Sequence, residues 1–111
     1  HLDDEAILSA VRARYEHRQI YSSVGRMLVA VNPFEDLGIY SRDQLEAYAA
    51  LGGDEEPPPH AYAIASAAYR GLLAGGCQSI VITGESGAGK TETSKRMLQF
   101  IAHVSSARGA G

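Results

Sequence analysis

The sequence predicts an α/β fold in which helices flank an incomplete mixed β-sheet, and three observations carry that prediction. The run Ser79-Ile80-Val81-Ile82-Thr83 is short, apolar and β-branched, as in a buried parallel strand. It leads into Gly84-Glu85-Ser86-Gly87-Ala88-Gly89-Lys90-Thr91, which satisfies G-x-x-x-x-G-K-[ST] at every constrained position. After it, Thr91 to Val104 sets Met97, Leu98, Ile101 and Val104 on one helical face. Strand, glycine loop and helix in that order frame a phosphate-binding loop, and so a partial P-loop NTPase fold.

The residue types of the loop suit that chemistry. Gly87 and Gly89 reach backbone angles closed to bulkier residues, so successive N–H groups can turn inward around an anion. The positive pole of the following helix adds to that anion site. Lys90 supplies charge to the β- and γ-phosphates, and the Thr91 hydroxyl is placed to ligate Mg²⁺. Glu85 reads as a solvated spacer rather than a general base, because phosphoryl transfer rests on positioning and electrostatics.

Composition narrows the classes. The chain has 111 residues and a formal net charge of −3, which argues against a nucleic-acid partner; such proteins carry a basic stripe. It contains no run of the length a membrane span needs and opens on no signal peptide. Cys77 is the lone cysteine, which fits a reducing, cytoplasmic setting, and its place before a buried strand suggests a small apolar filler. The chain begins without methionine and ends soon after the loop's helix, before elements that NTPases use for Mg²⁺, water and γ-phosphate. It therefore reads as a piece of a larger protein.

Taken in order, Asp3 is an N-cap for a helix over 4–17, with Asp4 and Glu5 in its first turn and Leu2 and Ile7 at staple spacing. Ile7, Leu8, Val11 and Tyr15 form its apolar face, and His17 has no metal-binding companion. Residues 19–22 and 27–31 are strand-like, joined across Ser23-Val24-Gly25-Arg26 as a hairpin. The continuous apolar run of the second predicts cover on both faces. It stops at Asn32-Pro33, and 32–40 is a loop. Ser41 and Gln44 make a capping box for a helix reaching Ala49 or Ala50, with Tyr40 and Leu45 as its staple. The linker 52–59 is glycine-rich, acidic, then proline-stiff, and its Asp54-Glu55-Glu56 run reads as a solvated turn. Residues 60–74 form an alanine-rich helix, apolar on most sides and so expected to be sandwiched, ended by Gly75-Gly76.

At finer grain the sequence resembles the early part of the myosin motor domain. The matching residues are Val29-Ala30-Val31-Asn32-Pro33-Phe34, Ile39-Tyr40-Ser41, Pro58 to Ala65, Ala68-Tyr69-Arg70, Gln78 to Val81, and Thr83 to Lys95. The likeness spans nearly the whole chain, and Gly84 to Glu92 is far more specific than the general phosphate-loop pattern.

The resemblance implies an N-terminal fragment, 1–111, of a motor that couples ATP hydrolysis to movement along actin filaments. It implies a purine-binding loop at 32–40, with Asn32, Pro33 and Tyr40 lining the base pocket, beside a phosphate loop at 84–91. Nucleotide contacts are expected from Gly84, Glu85, Ser86, Gly87, Ala88, Gly89, Lys90, Thr91 and Glu92, with ATP and Mg²⁺ as cofactors and Thr91 on the metal. A cytoskeletal location, and light chains or calmodulin on the parent, follow from the same likeness. So does a mixed sheet whose strands beside 78–83 come from much later in the chain. The bland readings of the same residues are a strand-ending turn at Asn32-Pro33 and a helix staple at Tyr40. Many family members carry basic residues where this chain has Glu35 and Asp36; two acids beside a nucleotide repel phosphate. Alternatives are an unrelated P-loop NTPase, and a parent that binds nucleotide without turnover as an actin-tethering scaffold.

Overall fold

The computed structural model describes residues 3–24, 26–51, 55–84, 87 and 89–110. The readings placed on Leu2, Gly25, Gly52, Gly53, Asp54, Glu85, Ser86, Ala88 and Gly111 lie outside the described residues.

Asp3 caps the first helix, α1 (Asp4–Glu16): its Oδ1 accepts the Ala6 N–H at 2.7 Å. The helix ends in a Schellman turn. Arg18 N–H reaches the Tyr15 carbonyl and Gln19 N–H the Arg14 carbonyl, both at 2.9 Å, with Arg18 in the left-handed region at φ 62°. That turn delivers the chain into β1 (Tyr21–Val24), where Arg14 Nε donates to the Tyr21 carbonyl at 2.9 Å. The expected apolar face of α1 is covered only in part: Ile7 and Val11 are half-buried, Leu8 and Tyr15 exposed.

β1 pairs antiparallel with β2 (Met27–Ala30), Tyr21 opposite Ala30 and Val24 opposite Met27. Pairing runs right up to the turn, so the first strand lies two residues later than the pattern at 19–22 suggested. The expected cover on both faces of the second strand is absent, and Met27 is exposed. The reason is visible at its outer edge. Among the described residues the sheet has two strands, and residues 78–83, expected as a third, form no ladder with either. An apolar run becomes a strand only when neighbouring backbone takes its N–H and C=O groups, and among the described residues no strand pairs with this one. Val81 is accordingly 82% exposed. Cys77, just before it, is exposed too and fills no core.

Three helices and the start of β1 supply the core. Ser41 caps α2 (Arg42–Ala50), its Oγ accepting from Gln44 N–H at 3.2 Å. His60 caps α3 (Ala61–Leu73), and Gly75, at φ 93°, closes it with a second Schellman turn in which Gly76 N–H bonds the Gly71 carbonyl at 3.1 Å. The fourth helix, α4 (Lys90–Ala110), begins one residue before, and runs beyond, the span that the apolar pattern marked. Tyr62 of α3 lies against Phe100 of α4, centroids 5.4 Å apart, and Ile20, Tyr21, Tyr48, Ala61, Ala65 and Met97 complete the buried cluster. Two expectations fail here. Leu98 is 67% exposed, and the inward face is Met97, Phe100, Ile101 and Val104, since Leu98 sits about 100° around the helix from Met97. Nor is α3 sandwiched: Ala61, Tyr62 and Ala65 are buried, while Leu72 and Leu73 lie exposed at its far end.

Candidate nucleotide site

Residues 32–40 leave the end of β2 and cross the first turns of α4, and side chains fix their path. Asn32 Oδ1 accepts the Phe34 N–H at 2.8 Å, and Asp36 Oδ1 accepts the Gly38 N–H at 2.8 Å, two Asx-type turns in succession. Phe34 stands exposed at φ 55°, and Gly38 at φ 71°. Glu35 is held by Arg18 Nη1 at 2.8 Å, with both side chains more than half exposed, so the pair contributes at most about 1 kcal/mol. The two acids are thus engaged with the protein's own cation and backbone.

Tyr40 closes this loop. Its hydroxyl meets that of Tyr21, and its carbonyl accepts from the Tyr62 hydroxyl at 3.2 Å. The Arg96 guanidinium lies over the ring, 4.5 Å from its centroid, and is itself fixed by Glu92 Oε1 at 2.8 Å. Burial, and then the Tyr40 hydroxyl, push the Tyr21 phenol far above the ordinary tyrosine range. Burial also raises Tyr40, so both phenols stay neutral and hydrogen-bonded at physiological pH.

These residues enclose a cavity of about 440 Å³ lined by Asn32, Pro33 and Tyr40 together with Glu92 and Arg96. A smaller neighbour of about 90 Å³ continues past Tyr21 and Asn32 to Gly89 and Thr93. The structure therefore brings the expected base loop and the start of α4 together. Asn32 Nδ2 makes the join, donating to the Gly87 carbonyl at 3.0 Å across 55 positions of sequence.

On the other side of that join, Gly87 and Gly89 have φ of 86° and 98°. A Cβ at either would meet no atom within 4 Å, so backbone conformation rather than space requires glycine there. Helix α4 starts at Lys90, so its first N–H groups have no partner within the helix and lie at its positive pole beside the glycines. Lys90 and Thr91 are exposed. Lys90 also borders a cleft of about 370 Å³ between β2 and residues 79–83, lined by Met27, Leu28, Val81 and Ile82. Arg26, Ser79, Thr83 and Thr93 line the same cleft, so its wall is mixed, apolar along β2 and polar toward Lys90. Among the described residues no group of three or more His, Cys, Asp or Glu could hold a metal. A lone threonine hydroxyl fits Mg²⁺ only as one hard oxygen donor beside phosphate oxygens.

Sequence reasoning missed Tyr21, His60 and Arg96. The Glu92–Arg96 spacing of i,i+4 was a signal for one of them. Tyr21 and His60 gave none, since their roles depend on which helices meet.

The chain matches the family model described as myosin head (motor domain) over residues 1–110. It is 49% identical over 105 residues to Myosin-1 of Neurospora crassa, and 48% identical over the same length to Myosin-1 of Coccidioides immitis. Each alignment covers 94% of this chain and 8% of the relative, so the chain spans a small part of those proteins. No described helix is long and apolar enough to cross a membrane.

Proposed function

We propose, from the premise that this chain belongs to the myosin head family, that residues 1–111 form the ATP-binding portion of an actin-based motor. The whole protein would hydrolyse ATP and move on actin filaments. In this portion Asn32, Pro33 and Tyr40 take the base, and residues 84–91 take the phosphates. Lys90 supplies the charge at the β- and γ-phosphates. Mg²⁺, with Thr91 among its ligands, would neutralise charge developing between those phosphates. The hydrogen bond from Asn32 to the Gly87 carbonyl carries the reading, because it ties a concave aromatic cavity to the glycine loop and α4 start. A base and its phosphates need two such subsites side by side. Glu35, Asp36 and Glu92 line the cavity beside the one cation Arg96, a wall that repels a second phosphate and leaves the base as the better occupant.

The test compares ligands that share phosphates and differ in the base, in protein carrying a whole motor domain. Lys90→Ala should weaken MgATP and magnesium tripolyphosphate alike, by about 100-fold or more (about 2.7 kcal/mol). Tyr40→Ala should weaken MgATP about tenfold and leave tripolyphosphate within twofold. Near-normal affinity in the first variant removes the phosphate subsite; equal losses in the second reduce Tyr40 to a helix staple.

A further inference from the structure

His60 lies outside the cavity and belongs to no step proposed above, yet it is 5% exposed and fully hydrogen-bonded. Its Nδ1 accepts the Tyr62 N–H at 2.9 Å, capping α3. A ring nitrogen that accepts carries no proton, so the neutral ring must carry its hydrogen on Nε2. Nε2 stands 2.8 Å from the Ile39 carbonyl and donates to it. The next carbonyl along, that of Tyr40, accepts from the Tyr62 hydroxyl. Two consecutive carbonyls at the end of loop 32–40 are therefore gripped by two side chains at the start of α3. The rings of Tyr21, Tyr40, Tyr48 and Tyr62 surround the imidazole at centroid distances of 5.1, 5.4, 4.9 and 4.4 Å, with no charged side chain among these ring neighbours.

We infer that His60 is a positioning residue for the base subsite, holding Ile39 and so setting Tyr40 where the cavity needs its ring. This rests on the reading of loop 32–40 as the base loop. Burial lowers the basicity of His60, which keeps the ring in the neutral form that both bonds require.

Two substitutions separate its two bonds. In His60→Asn the side-chain oxygen can stand where Nδ1 stands and keep the cap, but the residue is too short to reach Ile39. In His60→Gln the amide N–H can stand where Nε2–H stands and keep the Ile39 bond. Dissociation constants for MgATP and magnesium tripolyphosphate are measured in whole-motor protein for both variants, with Tyr40→Ala alongside. His60→Asn should lower the preference for ATP by about three- to tenfold, the weight of one hydrogen bond, and His60→Gln should restore it. Equal behaviour of the two variants, or an unchanged preference in His60→Asn, overturns the inference while leaving the base loop standing if Tyr40→Ala still discriminates. If Tyr40→Ala does not discriminate, the base reading falls and this inference with it. Failure of either His60 variant to fold also overturns it, since His60 would then serve the core rather than the loop.

Discussion

Loop 32–40 and residues 78–84 flank the Asn32–Gly87 hydrogen bond but are held in opposite ways. The loop has its turns closed by Asn32 and Asp36, its carbonyls taken by His60 and Tyr62, and its last ring covered by Arg96. The other stretch leaves Ile80 and Val81 exposed and, among the described residues, pairs with no strand. The difference lies in what each needs. Asx turns, caps and aromatic packing are supplied by side chains that this chain contains. A parallel strand needs backbone neighbours, which in α/β proteins arrive through crossovers from far away in sequence.

That contrast can be broken most directly by producing residues 1–111 alone. If 78–83 depends on absent neighbours, its unpaired edges and apolar side chains should prevent a cooperative fold and promote association. Each Å² left uncovered forgoes about 25 cal/mol, against a total domain stability of about 5–15 kcal/mol. A monomer with a cooperative thermal transition and dispersed amide resonances would show that the stretch is self-sufficient.

A second experiment strikes the well-held region. Phe100 is 1% exposed against Tyr62, so Phe100→Ala in a whole motor domain should cost about 3–5 kcal/mol of stability in urea titration. A loss below about 1 kcal/mol would mean that the aromatic cluster does not hold the loop as described.

The smallest effect is acid sensitivity confined to the loop side. His60 is held below its ordinary value near 6.5, so the unfolded chain binds the extra proton first. The stability that depends on neutral His60 is present above about pH 6.5 and is lost as pH falls from there through its folded value. The loss should be about 1.4 kcal/mol for each unit by which folding lowers that value, read as a drop in Tm that His60→Asn lacks. Identical pH slopes in the two proteins would count against the neutral ring.

Legibility in the sequence followed the same division. Asp3 and Ser41 announced their helices because a cap is a local event, and Gly87 and Gly89 announced positive φ for the same reason. Residues 78–83 were read as a strand whose neighbours come from later in the family's sequence, and among the described residues they form no ladder, because periodicity records what a segment can do when paired. Leu98 was placed inward and Phe100 overlooked because several faces of α4 are apolar, and only the position of Tyr62 decides among them. Asn32, Pro33 and Tyr40 were named from family likeness rather than spacing. Their gathering around one cavity with Glu92 is a matter of tertiary placement that no local pattern encodes.

The Asn32 side chain has one further property. Its oxygen is engaged by Phe34 N–H and its nitrogen by the Gly87 carbonyl, so reversing the amide would put like against like at both ends. A displacement of Gly87 by an ångström or so must either break that bond or draw the loop with it. The amide is thus a tie rod between loop 32–40 and the glycine turn. Any ligand that prefers one position of the glycine turn acquires, through this one side chain, a preference for one position of loop 32–40. Thermodynamic reciprocity then gives a ligand on the loop the same hold over the turn.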